Sequence, residues 1–162
     1  MKINRLKILS PFRGLKENYE VVFNNLPNTD RIEPLCFVGL NGSGKSNVLE
    51  VISECFYYLE AYSEEQSKSE LKKYRTNFGF DLEFELNAAY QDIPVSFMGF
   101  QNFAYTGVGN LKVRYLKRVN ELPVMIFPDN PDYIELNERE NFILPNRIIG
   151  YSSGMNELIS NP

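Results

Sequence analysis

The sequence predicts an α/β fold in which one helix follows a glycine-rich loop and the remainder is antiparallel and β-rich. Three observations carry that expectation. Residues 39–46 read Gly-Leu-Asn-Gly-Ser-Gly-Lys-Ser. Val48, Ile52, Cys55, Phe56 and Leu59 then recur at helical spacing. Beyond residue 77 the apolar positions alternate instead, without the repeated βα pattern of a complete doubly wound sheet.

Taken in order, residues 3–9 hold Ile3, Leu6, Ile8 and Leu9 and read as a strand. Ser10-Pro11-Phe12-Arg13-Gly14 ends it, because Pro and Gly interrupt strands. Residues 19–23 form a second short strand, so the chain opens on an antiparallel pair. Residues 24–30 are turn chemistry, rich in Asn with Pro27 and Asp30. After Pro34, Leu35-Cys36-Phe37-Val38 is a continuous apolar run, expected as a strand buried on both faces. In the helix that follows the loop, Leu49 and Val51 widen the apolar stripe that packs on a sheet.

Residues 63–73 are polar and read as the helix's solvated end or a mobile loop. Phe78, Phe80, Leu82, Phe84 and Leu86 line one face of a half-buried strand, with acids and Gly79 opposite. Residues 111–117 and 123–127 read as a strand pair, and residues 133–136 as one more strand. Phe142-Ile143-Leu144 and Arg147-Ile148-Ile149 lead into Gly150-Tyr151-Ser152-Ser153-Gly154. Neither an internal repeat nor a low-complexity linker divides the chain, so residues 1–162 read as a single domain.

Composition narrows the chemistry. The chain has 162 residues, 43% hydrophobic and 23% charged, enough for a real core. Its net charge is −4, which does not suggest a dominant electrostatic grip on nucleic acid. Histidine is absent, which excludes Ser-His-Asp and Cys-His catalysis and histidine-ligated zinc within these residues. Cys36 and Cys55 sit in apolar runs and read as reduced core thiols. No stretch approaches the roughly 20 apolar residues of a membrane span, and the chain is expected in the cytoplasm.

The glycine-rich loop matches the phosphate-binding pattern GxxxxGK[ST], the Walker A motif. Gly39, Gly42 and Gly44 let the backbone curl and turn several N–H groups inward. Those groups and the N-terminus of the next helix face an anion. Lys45 is placed to charge-pair with the β- and γ-phosphates, and the Ser46 hydroxyl to ligate Mg²⁺. A switch-type GTPase would carry Asp-x-x-Gly and Asn-Lys-x-Asp; neither occurs here, so ATP is the expected nucleotide.

The residues also carry a family resemblance. Leu6-Lys7-Ile8, Phe12-Arg13-Gly14-Leu15 and Val21-Val22-Phe23, followed by Phe37 to Ile52 with Asn41, Ser43, Asn47, Leu49 and Glu50, resemble the start of ABC-type ATPase heads. The similar branch holds SMC, RecF-like, RecN-like and OLD-family proteins and restriction- or defence-associated ATPases. The resemblance covers about the first 60 residues; residues 144–157 are similar to a segment of bacterial defence ATPases.

It implies a P-loop NTPase fold, a partial ABC-ATPase-like head forming the N-terminal lobe of a longer ATPase. It implies that Arg13 lies near the nucleotide, Asn41 beside the phosphates and Asn47 next to the Ser46 metal position, while Asn47 and Glu50 also read as structural. It implies a second ATPase head as partner, with DNA or a nuclease as the object of the work and no membrane.

Departures from the family pattern limit this. Gln91 and Gln101 cannot be aligned to a glutamine loop. Ser152-Ser153-Gly154 lacks the second glycine of a Leu-Ser-Gly-Gly signature. Val124-Met125-Ile126-Phe127-Pro128-Asp129 looks like a Walker B strand, but Pro128 precedes the acid and no Glu follows, so it reads as a strand end and turn. Without that acid and a positioned base, the catalytic residues stay unassigned.

Two alternatives stand beside an ATPase: a non-catalytic, nucleotide-gated interaction module, and a P-loop kinase for a small molecule. Lys112, Arg114, Lys117 and Arg118 form a basic cluster that reads as a solvated strand face, with DNA contact as the other reading.

Overall fold

The clearest alternation in the sequence becomes the interior of the sheet. The computed structural model describes residues 1–23, 37–40, 42–87, 110–129, 135–136 and 142–145. Within them lie β1 (Lys2–Ile8), β2 (Glu20–Val22), α1 (Lys45–Glu64), β3 (Phe80–Asn87), β4 (Asn110–Lys117), β5 (Val124–Ile126) and β6 (Glu135–Leu136). The six strands form one sheet in the order β2-β1-β3-β4-β5-β6, and every neighbouring pair is antiparallel. The architecture is mixed α/β: an antiparallel sheet with a long helix packed on one face.

Burial follows the period-2 pattern. Phe80, Leu82 and Phe84 of β3 are fully buried, as are Leu6 and Ile8 of β1 and Val113 and Tyr115 of β4. From α1, Val48, Val51, Cys55, Phe56 and Leu59 enter the same cluster. Phe56 meets Phe84 with ring centroids 5.3 Å apart. Each such side chain contributes roughly 1.5–3 kcal/mol of burial. The helix is therefore held by this apolar stripe more than by its own propensity.

The other face of the sheet is charged. Arg114 makes a bidentate pair with Asp81 through Nε and Nη2, both at 2.8 Å. Arg5 reaches the same carboxylate at 2.8 Å and Glu20 at 2.6 Å. Register explains the convergence: Arg5 and Arg114 both lie opposite Glu83, so Asp81 is the diagonal neighbour of each. In β1 the register shifts between Ile3 and Arg5. The extra residue, Asn4, is buried and donates from Nδ2 to Glu85 Oε1 at 3.0 Å.

Four expectations change. Residues 37–40 form no strand, and Val38 and Leu40 are 90% and 85% exposed. A strand buried on both faces needs ladder partners and covering layers on each side. The described strands pair only among themselves, and Phe37 rests instead edge-on against Phe23 at 6.1 Å. Leu49 is 45% exposed, because it lies a further 100° around the helix from the buried Val48.

The polar run at residues 63–73 is neither a plain helix end nor a free loop. It contains the start of a 3₁₀ turn, Glu70–Tyr74, and Lys73 pairs with Glu65. Lys117 is not on the solvated face. It is fully buried at the end of the inward stripe of β4, where Nζ donates to the carbonyls of Arg118 at 2.7 Å and Thr76 at 3.2 Å. Expectations for residues 24–36, Tyr133, Ile134, Gln91, Gln101 and residues 146–157 lie outside the described residues.

Candidate phosphate-binding site

The loop at residues 39–46 enters α1 through Gly44. That residue is the helix N-cap and has φ +89° and ψ 7°, a left-handed conformation that alanine adopts only under strain. Gly42, at φ +80°, also takes it, and a Cβ there would meet nothing within 4 Å. The helix opens with Val48 N–H donating to Gly44 O at 3.1 Å. Earlier N–H groups of the first turn have no partner within the helix. No acidic residue occupies that turn, so the positive end of the helix dipole is uncompensated by side-chain charge.

Lys45 closes the loop on itself. Its Nζ donates to Gly39 O and Leu40 O, each at 2.7 Å, and lies 3.4 Å from Ser43 Oγ. A phosphate oxygen is a stronger acceptor than a carbonyl, so an anion cradled here competes for these same donors. Ser46 is exposed on the first turn, and Ser43 on the loop. Gly39 is close-packed: a Cβ there would stand 2.9 Å from Ser43 Oγ. Asn41 lies outside the described residues.

A cleft of about 410 Å³ runs beside the loop. Gly42, Ser43, Gly44 and Asn47 form one wall, and the chain from Gly14 to Tyr19 forms the other. Its volume falls within the ~300–1,000 Å³ range of small-molecule sites. The second wall was not apparent from the loop motif. Its signal is the turn pair Arg13-Gly14 and the later Asn18, at φ +40°, +89° and +64°.

Arg13 and Asn47 come together, but not as two groups aimed at a ligand. Arg13 Nη1 bonds Glu50 Oε1 at 2.8 Å, and Asn47 Nδ2 donates to the carbonyl of Arg13. Arg13 therefore lies near the loop through its backbone, while its guanidinium is turned to the helix.

The other candidates separate. Asp129 sits in the turn after β5 and pairs with Lys112 at 3.1 Å. Arg118 pairs with Glu121, and Arg114 with Asp81. The basic cluster is thus dispersed among ion pairs and a buried lysine. Cys55 is buried and free, and burial raises its thiol well above the ordinary range, as expected of an inert core cysteine. Among the described residues no group of three or more His, Cys, Asp or Glu side chains gathers to hold a metal ion. Among the same residues no helix is long and apolar enough to cross a membrane. No protein-family model, curated protein or solved structure matches the chain significantly.

Proposed function

We propose that the chain binds ATP through the loop at residues 39–46, with P-loop NTPase architecture around it. One observation carries this reading. A loop with two left-handed glycines feeds a 20-residue helix whose first turn lacks acids, and Lys45 Nζ lies at the loop's centre. Backbone donors, a helix N-terminus and one point cation are the parts a polyphosphate requires.

The residues present fit the ligand. Gly42 and Gly44 admit a close approach of phosphate oxygens, Lys45 neutralises charge, and the Ser46 hydroxyl offers a donor oxygen to Mg²⁺. Asn41, Ser43 and Asn47 complete the polar lining in this reading. Mg²⁺ would screen the β- and γ-phosphate charge when bound.

By resemblance, we further propose that binding serves an ATPase in which two heads engage around nucleotide, coupled to work on DNA or a nuclease partner in the cytoplasm. A nucleotide-gated interaction module is the second reading. It is favoured by Asp129, whose carboxylate is paired with Lys112.

Titration with MgATP and MgGTP, for wild type and Lys45→Ala, tests the assignment. Lys45→Ala is expected to weaken ATP binding about 10- to 100-fold, the worth of a hydrogen-bonded charge. Equal affinity of both proteins would remove Lys45 from the site.

A further inference from the structure

The tie between Arg13 and α1 does more than decorate a turn. Phe12 and Leu15 exchange both backbone hydrogen bonds, N–H to O at 3.0 and 2.7 Å. Between them Arg13 and Gly14 have φ +40° and +89°. That is the two-residue geometry in which both central positions are left-handed. Glycine accepts it freely, but arginine does not. Arg13 therefore strains the turn by about 1–2 kcal/mol, which ties from outside can offset.

Two side chains of α1 do so. Asn47 holds the Arg13 carbonyl, and Glu50 holds its guanidinium. They stand three residues apart, on one face of the helix immediately after the loop. The Glu50 side chain is 11% exposed, so its charge has been taken largely out of water with Arg13 as its partner. The held turn stands beside the loop and the first turn of α1. A Cβ on Gly44 would lie 3.4 Å from Leu15 Cδ2, and one on Gly14 would lie 3.6 Å from Asn47 Nδ2. Gly14 and Leu15 begin the cleft's second wall.

We infer that Glu50 and Asn47 are positioning residues: acting through Arg13, they fix the second wall of the cleft against the phosphate loop. The inference rests on the ATP-binding reading above. With the clamp intact, the cleft keeps its width before a ligand arrives. With it broken, the turn must be ordered at the moment of binding, and affinity falls by that ordering cost.

The test is calorimetric titration of the 162-residue chain with MgATP at a temperature well below its unfolding transition. There every folded variant has a folded fraction near one, so a change in stability alone leaves Kd unmoved. Glu50→Gln and Asn47→Ala are each expected to weaken binding by about five- to tenfold. In an Arg13→Ala background, Glu50→Gln should add nothing, because its route of action is gone.

Wild-type affinity in both Glu50→Gln and Asn47→Ala would overturn the inference. So would an equal loss from Glu50→Gln with and without Arg13. Should Glu50→Gln fail to fold, Arg13→Gln decides, since it cuts the same tie from the turn side and, unlike Asn47→Ala, removes no residue that lines the cleft. Lys45→Ala runs alongside: if it binds as wild type, the nucleotide reading has failed; if it loses binding while the clamp variants keep it, the clamp alone has failed.

Discussion

At the scale of single residues, conformation decides more than contact. Gly44→Ala places a methyl group at an ordinary van der Waals distance from Leu15, so its cost is backbone strain rather than collision. Urea denaturation should show a loss of about 1–2 kcal/mol, the penalty of a left-handed L-residue. Lys117 gives a pH signature. Burial pushes its ammonium down to about 8, against a smaller opposing pull from Glu121. Its folded value lies below the unfolded one, so the unfolded chain holds the extra proton between about pH 8 and 10. Stability should therefore rise with pH across that window in wild type. Lys117→Met should flatten the rise in thermal melts at stepped pH.

The loop glycines and Lys45 were legible because a backbone shape and a charge each leave a fixed spacing. Lys117 was legible too, though grouping by charge hid it: it shares parity with the buried Leu111, Val113 and Tyr115. The Arg13–Glu50 pair was not legible, because contacts 37 residues apart leave no periodic trace.

At the scale of elements, α1 and the 3₁₀ turn are locked by reciprocal tyrosines. Tyr58 donates its hydroxyl to Tyr74 O, and Tyr74 donates to Ala61 O at 2.7 Å. Their rings meet edge-on at 5.7 Å. Tyr74→Phe keeps the ring and removes one bond, at a cost of about 1 kcal/mol. Amide hydrogen exchange at residues 70–74 should quicken, with little change in the sheet. Leu59→Ala acts differently, because Leu59 is fully buried under the sheet. It should destabilise the whole domain by about 2–5 kcal/mol in the same denaturation assay.

Strand β3 could be read from sequence because one buried face imposes alternation. The run at residues 35–38 shows the limit of that reading. Four apolar residues state a wish for burial, but ladder partners must be available, and for Phe37 and Val38 the described sheet supplies none.

For the molecule as a whole, the charged face of the sheet sets the acid limit. Burial would raise the Asp81 carboxyl, but hydrogen bonds from Arg114 and Arg5 outweigh it and hold the group below its ordinary 3.8. A depressed folded value contributes stability that is full above the unfolded pKa and is lost as pH falls through the folded one. Melting temperature should fall below about pH 4 in wild type, and less steeply in Asp81→Asn. At neutral pH that variant should be less stable by about 1.5–3 kcal/mol, having lost charge-assisted bonds.

The order of strands carries one more consequence. β1 and β3 are neighbours, yet the glycine-rich loop and all of α1 lie between them in the chain. Zipping β1 onto β3 therefore closes a long loop, whereas β4 and β5 join across a short connection. Non-local closures of this kind come late in folding. A nascent chain would thus possess a helix and part of a sheet before the turn after β1 and the glycine-rich loop were set against one another by a completed sheet.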